Sequence, residues 1–191
     1  MRFDYIDIRM LNRKVVTSYE YIIYMFRLFK IYSDNMKVKE KAMIVIKPHH
    51  LIDIVKLYGA GIERFVPDEA FQHDFYKVAN SIVENLDIPI RFTIDGDDIC
   101  KPCNRYNGST CTDPVHNIQG YHSKDTYNKE LDTRLIKQLG LDVHAIYTVK
   151  QFLMIADKNQ DIIFDVWQEE NEELTQKRNR LFRTGVKKLL K

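Results

Sequence analysis

The sequence predicts an α+β fold: a mainly helical single domain with two short strands and an ordered loop that carries the cysteines. Three observations predict it. Apolar residues recur at helical spacing in several segments, two short apolar runs have the character of strands, and a long stretch rich in Pro, Asn and Gly contains every cysteine. The 191 residues are 45% hydrophobic and 29% charged. That composition excludes disordered and fibrous proteins, and the length suffices for a core that folds without metal or disulfide.

We expect two parts, an N-terminal helical extension over residues 1–41 and the domain proper over residues 42–191. The extension is rich in Tyr, Lys and Arg and contains no Gly, Pro or Cys. Its amphipathic segment, residues 18–32, predicts a helix packed on the domain. A native start at Met36 or Met43 is the alternative interpretation.

The first half of the domain predicts two strands and two helices. A continuous apolar run predicts a buried strand over residues 42–46. A helix follows over residues 49–58 and stops at the glycines after it. Apolar residues at helical spacing predict a second helix over residues 67–86. Alternating apolar residues then predict a second strand over residues 90–94, which ends in an acidic turn.

The second half predicts a loop and several helices. Residues 100–123 have the composition of a loop, and a loop this long inside a compact domain is usually functional. Leucines four apart predict a helix over residues 124–139, ended by Gly140. A capping box predicts a short helix over residues 148–156. The tail, residues 162–191, predicts one or two helices, acidic in the first half and basic in the last turns.

All three cysteines lie in that loop, in a C-x2-C-x7-C pattern formed by Cys100, Cys103 and Cys111. The C-x2-C turn brings two thiolates to one metal or cluster, and the glycine-containing span after it can fold back to deliver the third. Two alternatives remain. The thiols are three unrelated reduced cysteines, or Cys100 and Cys103 form a dithiol redox pair, for which a βαβ unit is expected and none is evident.

A metal or iron–sulfur site needs a fourth ligand, and the sequence has no fourth cysteine. His49, His50 and Asp53 stand at the start of the helix after the first strand. His116 and His122 lie just beyond the cysteine pattern. Three thiolates with one nitrogen or oxygen ligand leave a weaker, exchangeable position that can open to substrate.

Two segments resemble a known family. Residues 46–53 read I-K-P-H-H-L-I-D, residues 97–103 read D-D-I-C-K-P-C, and Cys111 follows. Together they resemble, over residues 44–140, a small prokaryotic family of predicted iron–sulfur-binding proteins of unknown function, with the pattern R-P-H-H-L-L-C, then D-D-I-C-x-P-C, then C. Asp53 stands where that pattern has a cysteine. The resemblance therefore implies a cluster whose fourth position is taken by Asp53, by solvent or by a histidine.

We thus expect an iron–sulfur protein with a labile fourth site, which could make it catalytic. The cluster is of the 4Fe–4S or the three-iron type. The expected site comprises the cofactor ligands Cys100, Cys103, Cys111 and Asp53 and, around them or toward a substrate, His49, His50, Asp97 and Asp98. The two adjacent aspartates either brace the loop through backbone amides or form a solvated turn. The alternative function is a non-catalytic zinc-binding module with Cys3His coordination, through His116 or His122, that docks a partner.

Charge and hydropathy limit the other partners. Lys+Arg 29 against Asp+Glu 27 gives a net charge of +2, which does not indicate nucleic-acid binding. The basic end of the tail fits a solvated helix face. No segment has the pattern of a secretory signal or is long and apolar enough to span a bilayer. We therefore expect a cytoplasmic protein with a small-molecule substrate or a redox partner and without membrane contact.

Overall fold

A computed structural model describes residues 23, 25–26, 43–159 and 161–191. The contacts of the chain divide it into two units, residues 1–41 and 42–191. The helical extension predicted over residues 1–41, with its helix over residues 18–32, lies outside the described residues except for Ile23, Met25 and Phe26, which are helical. The fold described below is that of the second unit.

The second unit is an α+β domain, as predicted. Its described residues form six helices and three strands. In chain order they are β1 (Ile44–Ile46), α1 (Pro48–Gly59), α2 (Phe75–Glu84), β2 (Pro89–Phe92), α3 (Lys124–Leu139), β3 (Tyr147–Thr148), α4 (Val149–Lys158), α5 (Ile162–Val166) and α6 (Glu172–Leu189).

The three strands form one mixed sheet in the order β1-β2-β3. Strand β1 runs parallel to β2, with Ile44 opposite Ile90. Strand β2 runs antiparallel to β3, with Pro89 opposite Thr148. Two parallel neighbours require a crossover connection, which α1 and α2 supply here. The expectation that the chain contains no such crossover unit was therefore wrong, and the two-residue strand β3 was not predicted.

Helix α1 lies at the centre of the packing and contacts both α3 and α6. Four of its apolar residues are fully buried: Leu51, Ile52, Ile54 and Val55. Its backbone approaches that of α6 closely. A Cβ atom on Gly185 would lie 2.0 Å from the carbonyl oxygen of Val55, and one on Gly59 would lie 2.0 Å from that of Leu181. Only glycine permits this approach at the two positions.

The helix ends that carry local signals lie where the sequence predicts them. Helix α3 begins after Ser123, whose hydroxyl accepts from the backbone N–H of Thr126, and it ends at Gly140, where φ is 61°. Helix α4 begins with the predicted capping box of Thr148 and Gln151. These signals need only neighbouring residues, which is why the sequence shows them.

The helix predicted over residues 67–86 is wrong at its start, because α2 begins only at Phe75. Before it, the Asp68 carboxylate accepts a hydrogen bond from the backbone N–H of Phe71 at 2.9 Å. Gln72 then adopts a left-handed conformation with φ of 57°, which interrupts a helix. Of the apolar residues whose spacing predicted this helix, Phe71 lies in a loop that packs against the cysteine segment, whereas those from Phe75 onward lie in α2.

The tail forms two helices, α5 and α6. Helix α6 has Glu172 and Glu173 in its first turn and Lys187 and Lys188 in its last, an arrangement that complements the helix dipole. Its mean hydropathy is low, and among the described residues no helix combines the length and apolar character needed to cross a membrane.

Candidate metal centre

The three cysteines line one cavity of about 190 Å³. Cys100, Cys103 and Cys111 come from the loop after β2, and Lys47 and His50 reach the same cavity from the junction of β1 and α1. The structure therefore brings together the cysteines and one of the two adjacent histidines. All three thiols are free and partly buried.

A series of tight turns brings the first two cysteines to the cavity. The N–H of Cys100 donates to the carbonyl of Asp97 at 3.0 Å, and the N–H of Cys103 donates to the carbonyl of Cys100 at 2.9 Å. The N–H of Tyr106 continues the series by donating to the carbonyl of Cys103 at 3.0 Å. Each of these bonds closes a turn between residues three positions apart, and together the turns keep the C-x2-C segment compact.

A small hairpin returns the third cysteine to the same place. Tyr106 and Cys111 form an antiparallel bridge. The turn between them is closed by the Asn107 side chain and by Gly108, where φ is 96°. The N–H of Cys111 then donates to the carboxylate of Asp125 in the first turn of α3 at 3.0 Å. Cys111 is therefore fixed to a helix as well as to its own loop.

The fully buried carboxylate of Asp97 joins the cysteine turn to the start of α1. One oxygen, Oδ2, accepts from the backbone N–H of Lys47 at 2.9 Å and from Nδ1 of His50 at 2.7 Å. The other, Oδ1, accepts from the N–H of Cys100 at 3.0 Å. Burial opposes ionisation, but His50 and these hydrogen bonds outweigh it and hold the pKa of Asp97 well below its usual range. Asp97 therefore serves as an ionised acceptor for both segments.

The bond to Asp97 orients His50 in the way that is typical of a metal ligand. Histidines that bind metals usually donate one ring N–H to a carboxylate and keep the other nitrogen for the metal. Among the described residues, ligand atoms of His50, Asp97 and Cys100 all lie within 4.8 Å of one another, close enough to hold an ion. Because Asp97 already accepts three hydrogen bonds, we assign it the role of orienting His50.

The thiol of Cys100 is not of the reactive kind. Its burial and the nearby charge of Asp97 raise its pKa to about 12, although the charge of Lys47 acts in the opposite direction. Cysteines of dithiol redox motifs have lowered pKa values. The environment of Cys100 therefore disfavours the redox-pair alternative.

Asp98 fastens the cysteine turn to the edge of the sheet. Its carboxylate accepts from the N–H of Val45 at 2.8 Å, and its own N–H donates to the carbonyl of Val45 at 3.1 Å. The same carboxylate accepts from Lys101 at 2.6 Å. Asp97 and Asp98 thus both bind backbone amides of the segment that leads into α1, Asp97 that of Lys47 and Asp98 that of Val45.

A comparison with protein families matches residues 68–169, more than half of the chain, to the family described as Protein of unknown function (DUF1284). The chain belongs to this family. The DUF1284 match includes the three cysteines and begins after His50. It agrees with the resemblance to a small family of unknown function and says nothing of a cluster. Comparisons with curated proteins and with solved structures give no match.

Within this DUF1284 chain, four of the predicted site residues do not line the cavity: His49, Asp53, Asp97 and Asp98. The two adjacent aspartates lie behind the cysteine turn and bind backbone amides there. His49 is turned toward α3, where its Nδ1 lies 2.8 Å from the carboxylate of Asp132. Asp53 accepts from Arg178 at 2.9 Å and from Lys56 at 2.5 Å. Burial opposes ionisation of Asp53, but these two cations lower its pKa. Its carboxylate is thus engaged in ion pairs away from the cysteines.

The histidines of the zinc alternative also lie elsewhere. His116 and His122 are exposed, and neither is among the residues that line the cavity. The cavity instead receives a group of residues that the sequence analysis did not single out: Lys47, Asp68, Phe71, His73 and Arg105. Of these, His73 has a buried Nδ1 that lacks a hydrogen-bond partner among the described residues.

Contacts across the chain explain why these residues were missed. The side chain of Asn104, next to Cys103, donates to the carbonyl of Ala70 at 2.7 Å, and its N–H donates to the carbonyl of Phe71 at 3.0 Å. The first of these pairs is 34 residues apart in sequence. No local pattern marks such a contact, and the apolar spacing around Phe71 pointed to a helix instead.

Proposed function

We propose that the chain binds an iron–sulfur cluster through Cys100, Cys103 and Cys111, with His50 completing or bordering the fourth position. The observation that carries this proposal is that the three thiols and this histidine line one cavity of about 190 Å³. Thiolates are the ligands of such clusters, and imidazole replaces thiolate in some of them.

The lining of the cavity argues against the zinc site expected through His116 or His122, because neither histidine lines it. The cavity instead offers three thiols and the imidazole of His50. Iron–sulfur clusters accept both kinds of ligand.

The fourth position is the part of the proposal that bears on activity. A cluster supplies electron transfer or, at an iron with an exchangeable ligand, Lewis-acid chemistry. The chain offers His50 there, held by Asp97 so that its second nitrogen is free of the carboxylate. A neutral imidazole in that place can ligate iron, or it can accept a proton from a small molecule bound beside it.

Metal analysis after anaerobic purification tests the proposal. We expect near-stoichiometric iron and sulfide on the same sample, together with the brown colour of thiolate-to-iron charge transfer. Cys111→Ser should lose most of the iron, whereas Ser109→Ala in the same hairpin should keep it. Zinc alone, without sulfide, would contradict a cluster and leave a zinc-binding module. His116→Ala and His122→Ala would then identify its fourth ligand.

A further inference from the structure

Lys47 is a largely buried lysine that lines the cavity and has no ion-pair partner among the described residues. The residue is 3% exposed and lines the cavity, while its backbone N–H is bonded to Asp97. Its ammonium group forms no ion pair with any residue that the structure describes. Charges attract each other more strongly in a largely buried place than in open water, so an unpaired lysine here favours a negative partner that joins the cavity.

Lys47 is held next to the first cysteine by Asp97. One oxygen of this buried carboxylate accepts from the backbone N–H of Lys47 at 2.9 Å, and the other accepts from the N–H of Cys100 at 3.0 Å. Lys47 also lines the same cavity as all three cysteines. The lysine therefore belongs to the surroundings of the thiols.

The other lysines near the cavity already have partners. Lys124, which also lines it, lies 2.7 Å from Asp113. Lys129 lies 3.0 Å from Asp125. Both of these lysines are more exposed than Lys47. The unpaired positive charge inside the cavity thus belongs to Lys47, and the exposed Arg105 stands at its rim.

We propose that Lys47 is the counter-ion of the thiolate centre: its unpaired ammonium group balances the negative charge of the three thiolates that hold the metal. Lys47 is a positioning residue in this role, not a ligand. The inference rests on the proposed function, because it assumes that the centre exists. It states that Lys47 raises both the affinity of the chain for the centre and the reduction potential of the centre.

Two consequences follow from the charge. Removing a positive charge beside three thiolates weakens their hold on the centre, as loss of groups around metal ligands commonly does. It also lowers the reduction potential, because reduction adds negative charge that the ammonium group stabilises. In the metal-free chain the ammonium group has no ion pair with a described residue, so its removal breaks none. Metal affinity should therefore fall while the stability of the metal-free chain is kept.

The test compares Lys47→Met with Lys47→Arg, which keeps the charge, and with Lys124→Met, which removes a paired lysine from the same cavity. Each protein is reconstituted with ferrous iron and sulfide and challenged with graded chelator. We expect Lys47→Met to lose iron at a chelator concentration about 10- to 100-fold lower than the wild type, with a more negative potential. Lys47→Arg should keep most of the iron affinity and most of the reduction potential of the wild type. Lys124→Met should resemble the wild type in both.

Denaturation of the metal-free proteins completes the test. We expect metal-free Lys47→Met to be at least as stable as the wild type. The inference is overturned if this variant holds iron as tightly as the wild type with an unchanged potential. It is equally overturned if stability and iron fall together, since Lys47 would then be a structural residue. A wild-type chain that takes up neither iron nor sulfide defeats the proposed function, and this inference with it.

Discussion

Two adjacent histidines are held in the same way and directed to different places. The rings of His49 and His50 are 4.3 Å apart, and each Nδ1 is bound by a carboxylate that is fully buried. Asp132 of α3 binds the first and Asp97 of the cysteine turn binds the second. Consecutive helical residues point about 100° apart, so one ring packs on α3 and the other faces the cavity. The partner carboxylate thus distinguishes two residues that are indistinguishable in the sequence.

The central residue of this arrangement is Asp97, and we predict that its charge is essential for stability. Asp97→Asn removes the negative charge and puts an NH₂ donor in place of one carboxylate oxygen. That oxygen is either Oδ2, which accepts from Lys47 and His50, or Oδ1, which accepts from Cys100. We expect the free energy of unfolding to fall by about 3 kcal/mol, the range for bonds to a buried charged group. Chemical denaturation measures it.

The matched control is Asp95→Asn, two residues away in the same turn. The Asp95 side chain is 73% exposed and its contact with Lys129 is long, at 3.7 Å. This variant should stay within about 0.5 kcal/mol of the wild type. If the two asparagine variants were equally stable, the bonds of Asp97 to the start of α1 would not matter for folding.

At the scale of elements, the close contact between α1 and α6 holds the helix that carries His50 in the domain. Helix α1 carries His50 and follows directly from Lys47, and α6 packs along its other side. The glycines at 59 and 185 let the two backbones approach until a Cβ atom would overlap a carbonyl oxygen.

We predict that Gly185→Ala destabilises the protein, against the usual effect of the substitution. Within a helix, alanine in place of glycine normally stabilises by about 0.5–1 kcal/mol. Here the new methyl group would meet the Val55 carbonyl oxygen at 2.0 Å, which backbone atoms cannot relieve without moving a helix. We expect a net loss of about 1–3 kcal/mol in unfolding free energy. Thr184→Ala, its neighbour, should change stability by less than about 0.5 kcal/mol. A stabilised Gly185→Ala would show that the helices separate easily.

Across the whole domain, local signals predicted elements, and contacts distant in sequence decided the rest. The bounds of α3 follow from Ser123, from Gly140 and from the leucines between them. The segment before α2 did not form a helix because Gln72 is left-handed and the preceding carbonyls bind the cysteine loop. Strand β3 is two residues long and exists only through pairing with β2. A strand of that length has no periodicity to detect.

The candidate site divides in the same manner. The three cysteines were visible because C-x2-C-x7-C is a local pattern. That His50 lines the cavity, whereas His49 and Asp53 do not, could not be predicted from the sequence. It depends on where Asp97 lies in the fold. Asp97 binds Lys47 across 50 residues of sequence. The candidate ligand types can therefore be predicted from the sequence, but which residues share the cavity depends on the tertiary fold.

The cavity of the candidate metal centre lies apart from the core, and we predict that the domain folds without metal. The core consists of fully buried apolar residues such as Leu51, whereas Cys100, Cys103 and Cys111 are only partly buried in a loop. Serine at all three positions should abolish binding of iron and sulfide. It should leave helical circular dichroism and cooperative unfolding in place, with a loss of less than about 2 kcal/mol. Leu51→Ala, the control, removes buried volume and should cost about 2–5 kcal/mol with the cysteines intact. Small metal-dependent modules unfold when their ligands are lost. An unfolded triple-serine protein would place this domain among them, and the centre would then be structural.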